Sequence, residues 1–305
     1  IKIMKNSKHI KVYFAKAWGF NSTQLLNEYK CQSPNNSGIW NDFIIGTDNI
    51  DEADILIIQD VCTDEEFLKF DKTKRYYFSR EALDRISYKK YKDLGIIDCS
   101  FWNNNNNSYL WTKWLYKKKI NGPSPGINKT YNELIELKPP IKKKKVCCIL
   151  SNKKDCGGHK LRVEFMDEFR KYYDIDIYGD VSYANKTLVN NEKFPSLIDY
   201  EYCIAFDNQD DIEKFFGTQF TDSILCYTIP IYWGGSNNIL HSYFPNKSFE
   251  TFDVRNFKSI QKIINILEKT NYNDRLNDIV IARKLILNRY NVWPTIEMEV
   301  KKHYF

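Results

Sequence analysis

Residues 202–235 read YCIAFDNQDDIEKFFGTQFTDSILCYTIPIYWGG. Tyr202 to Phe206 is a short apolar run that stops at two small polar residues, Asp207 and Asn208. A run that is apolar at nearly every position suits a strand covered on both faces of a parallel sheet. Gly217 or Thr218 can cap a helix that runs to Cys226. Ile229 to Trp233 is a second apolar run, and it ends at Gly234-Gly235. Paired glycines there let the backbone turn sharply or approach a ligand closely. Strand, helix, strand is the repeating unit of a parallel α/β sheet, in which ligands bind beyond the carboxyl ends of the strands.

The same pattern extends upstream. Val146 to Leu150 (VCCIL) reads as a buried strand, followed by a loop, Ser151 to His159, that contains Gly157-Gly158. Leu161, Phe165 and Phe169 then fall four residues apart on one helix face, and Ile175 to Tyr178 is a further strand. Downstream, Phe257 to Leu267 is an amphipathic helix, and helical patterning runs from about Asn277 to Phe305.

The first half runs a comparable series. Ile10 to Phe14, Ile55 to Ile58, Arg75 to Phe78 and Gly95 to Ser100 read as strands, and Ser22 can cap a helix through Leu25, Leu26 and Tyr29. Between the halves, Lys138-Pro139-Pro140 and the four lysines Lys142 to Lys145 read as a connector. The prolines deny regular hydrogen bonding there and the lysines keep the segment wet. At roughly 100–200 residues per domain, the chain makes two. The expected fold is α/β, with two Rossmann-like domains facing a central cleft. Their expected bounds are 1–140 and 141–305, with the last helix free to pack back on the first domain.

Composition narrows the partners. The net charge of +6 is spread among interspersed acids, and the one cluster of lysines sits in the connector, so no nucleic-acid partner is expected. No run of about 18 apolar residues occurs, so no membrane span is expected in this chain. Ile1 to Ile10 lacks the apolar centre of a signal peptide. The first residue is not Met, which leaves room for an upstream leader or anchor. None of the eight cysteines shows Cys-x-x-Cys spacing, and Cys147, Cys148, Cys203 and Cys226 lie in apolar runs. Buried free thiols in a reducing compartment, the cytoplasm or another, are the expectation. The four histidines, at 9, 159, 241 and 303, offer no metal spacing. Asp174-Ile175-Asp176 has the alternation of a half-exposed strand rather than of a metal site. Asn-x-Ser/Thr triplets such as Asn21-Ser22-Thr23 and Asn185-Lys186-Thr187 are expected by chance in so asparagine-rich a chain.

Four places at strand ends can carry chemistry. Glu81 lies three residues beyond Arg75 to Phe78, where a carboxylate can act as a general base or simply begin a helix. Arg162 falls in the first turn expected after the Ser151 to His159 loop. Diphosphate oxygens would meet helix N–H groups and a guanidinium there, though a solvated helix arginine fits the local pattern equally well. Asp207-Asn208 suits a ligand loop or an ordinary turn. Gly217-Thr218-Gln219 opens a helix whose free N–H groups make an anion site.

In this order the motifs resemble the α-1,3-fucosyltransferases, glycosyltransferase family 10. TIPIYWG ending at Gly234, then Asn246-Lys247-Ser248-Phe249 and Asp253, carry the resemblance. Ser151-Asn152 with Arg162, and Phe78-Ser79-Arg80-Glu81, look like further family segments. The weak similarity spans about residues 8–290. It implies a GT-B fold with an N-terminal acceptor domain and a C-terminal donor domain. It also implies an inverting transfer, without metal or other cofactor, from a nucleotide sugar (GDP-fucose by default) to a hydroxyl of a glycan or glycoprotein. Glu81 matches the family's base, Arg162 its phosphate-binding arginine and Asn208 the asparagine of its nucleotide site. Ser151, Asn152, Gly217, Thr218, Gln219, Tyr232 and Gly234 fall in the matching donor-side segments.

One departure is chemical. The family's Val-Thr-Glu-Lys supplies a carboxylate and a lysine where this chain has Thr218 and Gln219. A lost phosphate lysine removes a charge-assisted bond worth about 1.5–3 kcal/mol. Lys153, Lys154, Lys160 and Lys214 are candidate replacements, and Asp207 stands for a family Glu. Two alternatives follow: the same fold with a UDP- or dTDP-linked donor, or a non-catalytic glycan- or nucleotide-binding relative. The aromatic-rich stretch from Trp102 to Trp114 is a candidate acceptor surface.

Overall fold

The computed structural model describes residues 9–17, 19–79, 85–100, 115, 129–151, 153, 157–179, 183–208, 215–235 and 237–304. The chain divides into two α/β units: one of residues 1–111, 129–135 and 289–305, the other of residues 112–128 and 136–288.

The first unit is a six-stranded sheet. Its strands are β1 (Ile10–Phe14), β2 (Ile39–Trp40), β3 (Ile44–Thr47), β4 (Ile55–Gln59), β5 (Arg75–Phe78) and β6 (Ile97–Asp98), in the order β2-β3-β1-β4-β5-β6. All neighbours are parallel except the β2–β3 pair. Every residue of β4 is buried, as an apolar run between two helix layers must be. The unit carries α1 (Ser22–Lys30), α2 (Asp64–Leu68), α3 (Arg85–Leu94) and most of α4 (Tyr131–Glu136). Asn21, not Ser22, caps α1: its side chain accepts from the Gln24 N–H, while the Gln24 side chain accepts from the Asn21 N–H. That reciprocal pair satisfies two otherwise orphaned donors. Of the expected strand Gly95 to Ser100, only Ile97–Asp98 pairs.

The second unit is a five-stranded, wholly parallel sheet of β7 (Lys144–Leu150), β8 (Asp176–Gly179), β9 (Tyr200–Phe206), β10 (Ile229–Trp233) and β11 (Glu250–Thr251), in the order β11-β10-β9-β7-β8. Its helices are α5 (Gly157–Phe169), α6 (Lys193–Leu197), α7 (Thr218–Leu225), α8 (Asn237–Tyr243), α9 (Lys258–Lys269) and α10 (Leu276–Asn288). Val146, Cys148 and Leu150 of β7 join Tyr202, Ile204 and Phe206 of β9 in one core with Phe165, Met166 and Phe169 of α5. The intervening residues of those strands are apolar too, so the sheet is covered on both faces.

The last helix, α11 (Val292–Tyr304), belongs to the first unit. Trp293 packs edge-on to Phe14 at 5.7 Å and donates its indole N–H to the Tyr29 carbonyl at 2.8 Å. The end of the chain thus completes a core that its beginning starts.

The connector is not uniformly wet. Lys144 and Lys145 are already in β7, and the Lys142 ammonium donates to the carbonyls of Ile198 and Cys226 and to Thr228 Oγ1 at 2.8–3.2 Å. Burial pushes its pKa down to about 8. At the sheet edge, the Asn185 amide substitutes for a strand. It accepts from the Ile177 N–H at 2.7 Å and donates to the Ile175 carbonyl at 2.9 Å. Asp176 accepts from the Tyr200 hydroxyl and pairs with Lys144 and Lys186, while Asp174 is exposed. Among the described residues no helix is long and apolar enough to cross a membrane, and Cys31, Cys62, Cys99, Cys147, Cys148, Cys203 and Cys226 are free thiols.

Candidate functional site

β7 and β9 are neighbours although β8 lies between them in sequence. The chain leaves β7 toward one edge and returns to β9 on the other side. Helices that start from diverging connections cannot close over the strand ends, so a crevice opens there. A cavity of about 430 Å³ occupies that position. Ser151 and Arg162 line it after β7, Asp207 and Asn208 after β9, Thr218 and Gln219 at the start of α7, and Lys193 at the start of α6.

Arg162 falls on the stripe of α5 that also carries Phe165, Met166 and Phe169, so it points at the sheet and is only 5% exposed. The helix starts at Gly157, which puts Arg162 in the second turn rather than the first. One guanidinium nitrogen donates to Asn208 Oδ1 and another to Ser151 Oγ, each at 2.9 Å. The rigid fork of an arginine thereby ties the ends of β7 and β9 together.

At the cavity wall Asp207 organises the turn. Its carboxylate accepts from the Tyr232 hydroxyl and from the Gly217 N–H, the latter at 2.8 Å. Burial pushes its pKa up to about 6, against the pull of both hydrogen bonds and of the Arg162 and Lys193 charges. Burial, with the Asp207 charge behind it, holds the Tyr232 phenol well above its usual range. Gly217 caps α7 in an extended conformation without help from a side chain, its N–H being spent on Asp207. A Cβ on Gly217 would lie 1.8 Å from Asp207 Oδ1. Gly234 has φ +151°, and a Cβ there would lie 2.6 Å from Asp207 Cβ and 2.7 Å from the Tyr232 hydroxyl.

Lys193, which lines the cavity, forms a buried pair with Asp222, Nζ to Oδ2 2.6 Å, with side chains 6% and 1% exposed. Burial raises the Asp222 pKa, and the Lys193 charge opposes the rise.

The residues singled out in the sequence therefore fall into three sets. Ser151, Arg162, Asn208, Thr218 and Gln219 line the cavity. Gly217, Tyr232 and Gly234 gather around Asp207 behind it. Glu81 and Asn152 lie outside the described residues, as do Lys154, Lys214 and the Trp102 to Trp114 stretch. Of the remaining candidate cations, Lys153 lines the cavity, and Lys160 sits on the surface 3.6 Å from Glu164. Sequence reasoning missed Lys193 and Asp222, because neither sits at a strand end. Among the described residues no group of three or more His, Cys, Asp or Glu could hold a metal ion.

Comparison with known proteins bears on the second unit above all. Residues 139–278 match the family model for glycosyltransferase family 10 (fucosyltransferase), C-terminal part. Glycoprotein 3-alpha-L-fucosyltransferase A of Drosophila melanogaster is 24% identical over 169 residues, which are 54% of this chain and 31% of that protein. The chain thus spans about a third of the length of that relative. A crystal structure of an alpha1,3-fucosyltransferase superposes with a TM-score of 0.54 at 17% identity, covering 98% of this chain and 91% of the other. That likeness is one of fold: α/β, of the GT-B type.

Proposed function

We propose, from the match of residues 139–278 to the family model for glycosyltransferase family 10, that the chain moves a sugar from a nucleotide-sugar donor to a glycan hydroxyl. The transfer inverts the anomeric carbon and needs no metal ion. GDP-fucose is the default donor. The second unit binds it, and the first binds the acceptor, a glycan or glycoprotein.

The observation that carries this reading is the Arg162 guanidinium, buried between Ser151 and Asn208 at the wall of a cavity that also meets the start of α7. Diphosphate oxygens accept charge-assisted hydrogen bonds from such a guanidinium and from the N–H groups of Thr218 and Gln219. As the bond from the anomeric carbon to the diphosphate breaks, its electron pair leaves on the phosphate oxygen. Donors already aimed at that oxygen stabilise the charge as it grows. On the other side of the anomeric carbon the acceptor oxygen forms the new bond, and Glu81 takes its proton.

A second reading rests on Thr218 and Gln219, which present neutral side chains to the cavity. A chain without the family's Glu-Lys pair can take a donor with another base. Thermal-shift titration with GDP, UDP and dTDP, followed by transfer assays with the matching sugars, separates the two. Stabilisation by GDP with fucose transfer supports the first. Stabilisation by UDP or dTDP alone replaces it with the second. A chain that binds none of the three is not a transferase of this kind.

A further inference from the structure

We propose that Lys193 meets the donor's diphosphate at the inner wall of the cavity, and that Asp222 is the residue that positions it; the inference rests on the nucleotide-sugar reading above. Gln219 brings no charge to the first turn of α7. Lys193 reaches the same cavity from α6 and lines it together with Gln219. A diphosphate carries more negative charge than Arg162 alone neutralises, and a second cation beside the helix start shares it.

The lysine is held in a way a surface lysine is not. Its ammonium donates to Asp222 Oδ2 at 2.6 Å, and the Leu115 N–H donates to Asp222 Oδ1 at 2.7 Å. Asp222 stands three residues after Gln219 on α7, so both lie on one side of that helix. The carboxylate is gripped at both oxygens and in turn fixes a long, flexible stem. Lys193 and Arg162 both line the cavity at the end of β9, and both charges pull on the Asp207 carboxyl. A buried ion pair is poor evidence of stability, because apolar residues of the same volume do as well or better. At a cavity wall the pair has another use: Asp222 holds the Lys193 ammonium in one place.

The experiment is calorimetric titration of the whole chain with GDP, UDP and inorganic pyrophosphate. Lys193→Met alone leaves Asp222 as an uncompensated buried charge, so the test variant is Lys193→Met with Asp222→Asn, which removes both charges, nearly keeps the volume and leaves an acceptor for the Leu115 N–H. With the near-ultraviolet circular dichroism of the wild type retained, its affinity for pyrophosphate and for the nucleotide that the wild type binds is expected to fall roughly 10- to 100-fold. Lys193→Arg, which keeps the charge, is expected to restore most of it. A folded double variant that binds as the wild type does overturns the inference and leaves the proposed function standing. A wild type that binds none of the three probes overturns the diphosphate reading itself. Should the double variant not fold, the wild type decides. The ¹⁵N resonance of the Lys193 ammonium, assigned by its loss in Lys193→Arg, must shift on addition of pyrophosphate, and a resonance that stays put overturns the inference.

Discussion

The Tyr232 hydroxyl donates to the Asp207 carboxylate, and the pair is closed in by two glycines, Gly217 and Gly234. Strand β9 ends in the acid, β10 carries the phenol, and the N–H that begins α7 joins them. Three elements are thus set by one carboxylate at the cavity wall.

The glycines are expected to tolerate no side chain. Gly234→Ala adds a Cβ at φ +151°, against Asp207 and the Tyr232 hydroxyl. Strain and overpacking together are expected to cost about 2–5 kcal/mol in urea unfolding. Gly217→Ala is expected to cost a similar amount, but much less in an Asp207→Ala background, because the clash is with that carboxylate. Such a cycle is expected to show a coupling of about 1–3 kcal/mol. Additive losses would mean that the glycine and the acid do not meet.

The acid also leaves a mark in the pH profile. The folded-state pKa of Asp207 is raised to about 6 from the ordinary 3.8, chiefly by burial. The folded state therefore holds this proton more tightly than the unfolded state does. Its contribution to stability is present below about pH 4 and is lost as the pH rises toward 6. At about 1.36 kcal/mol per unit the loss is roughly 3 kcal/mol. Against Asp207→Asn, the wild type is expected to lose stability between those pH values and to run parallel above them. Denaturant melts across the range check it, and a flat difference refutes the shift.

Arg162 is expected to resist conservative change. A lysine cannot reach Ser151 and Asn208 together and still face the cavity. Arg162→Lys is expected to weaken nucleoside diphosphate binding by roughly 10-fold, and Arg162→Met by roughly 100-fold, measured by calorimetry. Unchanged affinity in either variant would move the diphosphate elsewhere.

Glu81 is tested by turnover. Glu81→Gln keeps the size of the side chain and removes the base. If Glu81 accepts the acceptor's proton, turnover is expected to fall at least ~100-fold with donor affinity unchanged. Retained turnover assigns the proton to another group.

The strands were legible because burial writes itself into composition. VCCIL, YCIAF and TIPIYW have no polar residue facing water, and β7, β9 and β10 fall where those runs are. The β2–β3 hairpin escaped, since its two- and four-residue strands are too short to show alternation. The cavity residues Ser151, Arg162, Asn208 and Thr218 were legible because the ends of parallel strands are where a ligand must sit. The division of labour between Asp207 and Asn208 was not. One turns inward to hold the backbone and the other toward Arg162, a choice made by Tyr232 from a strand 25 residues away in the chain. Lys193 shows the same limit: its partner Asp222 is 29 residues on, and no local pattern joins them.

Asn185 heads an Asn-Lys-Thr triplet, the acceptor signature for N-linked glycans, yet both ends of its amide are spent on the backbone of Ile175 and Ile177 at the sheet edge. Folding hides the nitrogen from an oligosaccharide-transferring enzyme. A glycan attached earlier would deny the sheet its border, so one and the same residue cannot serve as both a structural tie and a sugar anchor. A chain made where such attachment competes with folding would yield a misfolded, glycosylated fraction, and Thr187→Ala, which erases the signature and spares the amide, would recover it.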